Sequence, residues 1–278
     1  MIRFFQYIHV NIRVRFRQHL GGKGSGGSWF VGLITFIPYL TRLFSRLLFF
    51  PRKNLIYGKG YYHLPVLVTF PRSGTNWIRY IIESMTGQPT PGKVRLHSGK
   101  DYAVDRAHSA MRNGLRYKKM ILVLRDYREC LIRHHLELFK EIGDVKLFME
   151  NDVVTSRPAW YLQNVHVFHQ FQGEKLLMYY EDLLENPEVQ IKKLGHFLGA
   201  KEANIQSFVG DLKNQQSRSI DSYHSSHHSV TAGDTSKKNF HADSHLTKQE
   251  QLAFDNYFRN KSPELWDAYL ARYSTQKS

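Results

Sequence analysis

Leu64-Pro65-Val66-Leu67-Val68-Thr69-Phe70-Pro71-Arg72-Ser73-Gly74-Thr75-Asn76-Trp77-Ile78 reads as a strand, a turn and the opening of a helix. The first half is a short apolar, β-branched run, the pattern of a parallel strand buried on both faces. The second half repeats apolar residues at helical spacing, Ile78, Ile81, Ile82 and Met85, and Gly87 follows as a stop. Gly74 permits close approach of a ligand to the backbone. The amides from Ser73 to Trp77 then gather at a helix N-terminus, where partial positive charge collects. Arg72, Ser73, Thr75 and Asn76 add side-chain donors, so the stretch predicts a cradle for a tetrahedral anion such as phosphate or sulfate. It is not a G-x-x-x-x-G-K-[ST] loop. The nearest approach to that pattern, Gly87 to Val94, ends in the wrong residue and contains Pro89 and Pro91.

Two further apolar runs extend the pattern. Lys119-Met120-Ile121-Leu122-Val123-Leu124 and Lys175-Leu176-Leu177-Met178-Tyr179-Tyr180 read as buried strands, each followed by a helix. The resulting expectation is an α/β domain with a central parallel sheet flanked by helices, spanning residues 61–278. Trp160, Asn164, Val167 and Phe171 fall on one face of a helix starting near Arg157-Pro158. Asn186-Pro187 opens another helix with a good cap, Thr247 to Glu250 forms a capping box, and Ser262-Pro263 starts the last helix. Glu141 to Asn151 reads as a short helix, Thr90 to Val104 as irregular, and Gln215 to Leu246 as a long polar loop.

The chain has 278 residues, enough for one large domain with a full core, and a formal net charge of +15. That charge suits a solvated basic surface, an anionic cofactor, an acidic substrate or an anionic membrane. No nucleic-acid-binding pattern accompanies it, so no nucleic acid is expected as partner. The single cysteine, Cys130, excludes an internal disulfide and a cysteine-based zinc site, and fits a reducing compartment. His224, His227, His228, His241 and His245 match no standard metal spacing, and no metal is expected. Residues 1–60 form a separate basic, aromatic segment, with a flexible glycine-serine linker from Gly21 to Ser28. Its apolar part, Trp29 to Phe50, is interrupted by Pro38, Arg42 and Arg46 and is too short for an ordinary span. It lacks a signal-peptide cleavage site, so the expected location is cytoplasmic, with an amphipathic helix lying on a membrane, a helix packing on the domain itself, or a cryptic anchor whose arginines snorkel to the surface.

Phe70-Pro71-Arg72-Ser73-Gly74-Thr75-Asn76-Trp77 resembles the 5′-phosphosulfate loop of the sulfotransferases, YPKSGTTW, with Arg72 in place of lysine. Those enzymes use 3′-phosphoadenosine 5′-phosphosulfate (PAPS) as donor and have a fold of the P-loop nucleoside-triphosphate-hydrolase type. The resemblance runs from about Leu64 to Leu198. It implies that His108, in Arg106-Ala107-His108, is the catalytic base, with Arg106 standing where the family has lysine. It implies that Arg125 grips the donor's 3′-phosphate, with Arg133 at the family's serine position. Tyr180 of Tyr180-Glu181-Asp182-Leu183 is implied to lie by the adenine, and Phe208 to stack on it. Gly233 to Phe240, with Lys237 and Lys238, faintly echoes the loop that covers the donor. The implied activity is sulfuryl transfer to a hydroxyl or amine of a small-molecule, glycan or lipid acceptor. Two rivals remain at this point: an ATP-dependent phosphotransferase, which lacks a lysine-serine pair and a magnesium carboxylate here, and a non-catalytic membrane-surface protein on the same fold.

Overall fold

The structure is a computed structural model, and it describes residues 62–92, 94–110, 116–139, 157–224 and 241–275. All of these fall in the unit Asn54–Ser278. The expected membrane segment within residues 1–60, the helix at 141–151 and the covering loop at 233–240 lie outside the described residues.

Among the described residues, four parallel strands, β1 (Val66–Thr69), β2 (Asp105–Ala107), β3 (Lys119–Leu124) and β4 (Glu174–Tyr179), lie in the order β2-β1-β3-β4. Val68 pairs with Ala107 on one side and Leu122 on the other, and Leu122 pairs with Leu177. Alternation along β1 and β3 divides the core between the two faces. Val66, Val68, Leu122 and Leu124 enter one cluster; Leu67, Ile121 and Val123 enter the other. Burial on both faces explains why these strands are unbroken apolar runs.

Helix α1 (Thr75–Thr86) follows β1 and buries Ile78, Ile81, Ile82 and Met85 against one face, ending at Gly87 in the left-handed conformation. On the other face pack α2 (Tyr127–Phe139), which follows β3, and α3 (Arg157–Gln170). After β4 come α4 (Tyr180–Glu185), α5 (Pro187–Leu198), α6 (Glu202–Gly210) and α7 (Leu212–His224). A 3-10 turn (Ala242–His245) and α8 (Lys248–Lys261) follow. The last helical stretch opens at Pro263–Leu265, widens to a π turn over Trp266–Leu270 and tightens to a 3-10 turn over Ala271–Tyr273. Thr247 and Glu250 form the expected capping box on α8.

Three expectations need correction. Asp105–Ala107 is a strand within a region read as irregular and pre-strand, because a three-residue edge strand with two charged residues carries no periodicity. The supposed polar loop from Gln215 is helical through His224, held by Tyr80 Oη donating to Gln215 Oε1 at 2.7 Å and by Ser219, which is buried. Asn186 stands at the N-cap of α5, yet its side chain makes no capping bond; Pro187 at the first turn removes one orphan N–H instead.

Candidate active site

The chain steps from β1 outward to β2, then returns to the other side of β1 to form β3. The strand order therefore reverses between β1 and β3, and open parallel sheets bind ligands beyond the C-terminal ends of strands at such a point. The loop after β1 carries Arg72, and the loop after β3 carries Arg125. The two meet: Arg125 Nη1 donates to the Arg72 carbonyl at 3.1 Å.

The turn after β1 is tight. Ser73 donates both its backbone N–H, at 3.1 Å, and its hydroxyl, at 2.7 Å, to the Phe70 carbonyl. Ser73 is fully buried, so its hydroxyl is not the ligand-facing donor that the sequence suggested. Arg72, immediately before Ser73, has φ 71°, the one positive φ of a non-glycine residue among the described residues. Gly74 is the N-cap of α1, with φ 90° and no side chain to cap the first turn. A Cβ there would lie 2.4 Å from Tyr180 Cδ2, so only glycine fits against that ring. The first helical bond is Ile78 N–H to the Gly74 carbonyl at 3.1 Å, which leaves the amides of Thr75, Asn76 and Trp77 at the open end of the helix. Thr75 Oγ1 donates back to Thr69 Oγ1 at 2.9 Å, and Asn76 is exposed.

Arg125 lies 4.6 Å from the centre of the Tyr180 ring, a cation–π contact. Its carbonyl accepts Tyr161 Oη at 2.7 Å, which ties the loop to α3. One turn into α2, Glu129 Oε2 accepts from Arg125 Nη2 at 3.3 Å and from Arg133 Nε at 2.7 Å. Burial, with the charges of Arg125 and Arg72 adding to it, pulls Arg133 below the ordinary arginine range while Glu129 opposes. Arg72, Arg125 and Arg133 thus form one cationic group beside the open end of α1.

His108 emerges from the end of β2 next to the same loop. A carbonyl oxygen can only accept, so His108 Nδ1 carries the proton and donates to the Thr69 carbonyl at 2.8 Å; Nε2 keeps its lone pair. Burial first, then the charge of Arg106, pushes this imidazole down to about 4. Asn164, buried in α3, holds the segment from both sides. Its Nδ2 donates to the His108 carbonyl at 2.9 Å, and its Oδ1 accepts Ala110 N–H at 2.7 Å. The sequence sets Asn164 on one helix face with Trp160, Val167 and Phe171 and gives no sign of this role. It also missed Glu129, although positions 125, 129 and 133 are spaced four apart. His134 was missed as well: burial, then the charges of Arg157, His108 and Arg72, push it down to about 3.

Phe208 is buried in α6 against Trp77 and Tyr80, with ring centres 6.2 Å apart in each case. Through Trp77 it reaches the first turn of α1. Glu181, next to Tyr180, accepts Asp126 N–H at 3.0 Å and Tyr273 Oη at 2.8 Å, joining the β3 loop, α4 and the end of the last helical stretch. Lys237 and Lys238 lie outside the described residues.

Comparison with known proteins matches residues 115–271, more than half of the chain, to the sulfotransferase domain. The chain belongs to the sulfotransferase family. A mouse sulfotransferase crystallised with PAP, the desulfated nucleotide, superposes with a TM-score of 0.55 at 16% identity, over 78% of this chain and 89% of that one. A retinol dehydratase bound to androsterone and PAP gives a TM-score of 0.45 at 14% identity, over 72% and 80% of the two chains. A WSCD family member from Aedes aegypti is 26% identical over 166 residues, 49% of this chain and 50% of its own length. This sulfotransferase domain therefore spans about half the length of the curated relative it matches. The parallel sheet with the reversal between β1 and β3 is the sulfotransferase fold expected from the sequence.

Proposed function

We propose that this sulfotransferase moves a sulfuryl group from PAPS to a hydroxyl or amine of its acceptor. The observation that carries the reading is the bond from Arg125 to the Arg72 carbonyl, because it unites the glycine turn with the second arginine loop beside His108. The residues fit the donor's two charged ends. The amides of Thr75, Asn76 and Trp77 at the open end of α1 present donors on one side, and Arg125 and Arg133 offer forked guanidinium groups on the other. When bound, PAPS supplies the sulfuryl group and a phosphate oxygen as leaving atom.

The chain's own residues do the rest. His108, neutral and with Nε2 as its basic atom, takes the proton of the acceptor as that group attacks. Arg72 and the α1 amides take up negative charge growing on the leaving side. Arg125 and Arg133 hold the 3′-phosphate, and Tyr180 and the Trp77–Phe208 pair flank the base. Holding both partners in line is the larger part of the work, as in phosphoryl transfer. In the same reading the domain is cytoplasmic, and residues 1–60, with their arginines and aromatic residues, attach it to a membrane surface. Flotation with anionic vesicles, with and without residues 1–60, tests that part.

Incubation with radiolabelled PAPS and a panel of phenolic, steroid, glycan and lipid acceptors tests the reaction. Label transferred to one acceptor class is the expected result. A thermal shift with ATP and magnesium but none with PAP would overturn the reading in favour of phosphoryl transfer.

A further inference from the structure

The carboxylate of Glu129 stands between the two arginines assigned above to the 3′-phosphate, so this inference rests on that assignment. Oε2 accepts from Arg133 Nε at 2.7 Å and from Arg125 Nη2 at 3.3 Å. Oε1 accepts the backbone N–H of Ala242, in the 3-10 turn that precedes α8. One half-buried acid therefore ties both guanidinium groups and a separate element together.

A negative charge beside a phosphate site is unexpected if the arginines serve only as charge, since it opposes the ligand. Its geometry offers another use. Arginine side chains are long and rotamer-rich, and a fork is effective toward phosphate only when its plane is fixed. Glu129 engages Arg133 at Nε and Arg125 at Nη2, and Arg125 Nη1 is turned onto the Arg72 carbonyl. The planes of the two guanidinium groups are set before any ligand arrives. We infer that Glu129 is a positioning residue, which aligns Arg125 and Arg133 for the 3′-phosphate and makes the protein discriminate nucleotides that carry this group from those that lack it.

The experiment compares binding of PAP and AMP, which differ only in the 3′-phosphate, by calorimetry on the full chain and on Glu129→Ala and Glu129→Gln. The wild type should bind PAP far more tightly than AMP. In Glu129→Ala that preference should fall at least tenfold, with AMP affinity changed less than twofold. Glu129→Gln, which can still accept from Ala242 and one arginine, should fall between. A merely structural role would weaken both nucleotides together, and that result overturns the inference. So does a preference that is unchanged or increased, since Glu129 would then be only a competing counter-charge. A wild type with no preference for PAP would overturn the donor assignment itself, and this inference with it.

Discussion

His108 shows how one hydrogen bond decides the chemistry of a residue. With Nδ1 committed to the Thr69 carbonyl, only Nε2 can act as base, and burial keeps the ring neutral. His108→Ala should lower turnover by about 10²–10⁴-fold while leaving PAP affinity within twofold; normal turnover would remove His108 from its role. As the proposed base, His108, with a pKa of about 4 in the free protein, would work when deprotonated. The acid limb of kcat/KM should then fall near pH 4, well below the ordinary histidine value of about 6.5. An acid limb at the ordinary value, from rates measured between pH 3.5 and 8, would contradict the buried geometry. Asn164 is the support. Asn164→Leu loses both bonds that hold the His108–Ala110 segment and strands a buried carbonyl and N–H, costing about 2–3 kcal/mol. Denaturant titration measures this, and turnover should drop with it.

At the scale of elements, the strands and turns that build the site were largely legible. β1 and β3 are apolar because both faces of the sheet are covered there, whereas β4, at the end of the strand order, opens on exposed Glu174 and Lys175 and fully buries only Met178, less than the buried strand expected; α1 shows its buried stripe directly. What escaped was held together by polar contacts between distant residues. β2 is three residues long, and Asp105 is made tolerable in the interior by Tyr117 Oη at 2.6 Å. α7 is polar along most of its length and is stabilised where Tyr80 donates to its Gln215 and its Ser219 is buried. Ser73, in contrast, was legible as a donor but not in its direction, because nothing in the sequence reveals that its hydroxyl folds back onto Phe70. Gly74 joins the strand and helix halves of the motif. Gly74→Ala forces a Cβ onto the Tyr180 ring at a left-handed φ, a cost of about 1–3 kcal/mol. Both a lower Tm and weaker PAP binding should follow; unchanged PAP affinity would mean that the ring and the loop separate freely.

For the whole molecule, the buried titratable groups predict how stability varies with acidity. His108 and His134 are held neutral in the fold, at about 4 and about 3, so the unfolded chain binds more protons below about 6.5. Each contributes about 1.4 kcal/mol per pH unit of stability lost as pH falls from there toward its folded value. Asp126 acts in the opposite sense. Burial, against the pull of Arg128, raises it to about 6, so between pH 4 and 6 the folded state holds a proton that the unfolded state releases. Two protons gained and one released on unfolding leave a net uptake. Stability should therefore rise with pH across this window, and His134→Leu should flatten the rise. A flat profile for the intact protein, from urea titrations at intervals between pH 4 and 7, would refute the account.

The backbone at position 72 has a further consequence. An arginine held at a dihedral suited to glycine is a local compromise, kept by the loop on one side and the Arg125 contact on the other. Arg72→Gly should relieve the compromise and melt no lower than the parent, while sulfuryl transfer drops sharply. The protein would become sturdier at the point where it stops working.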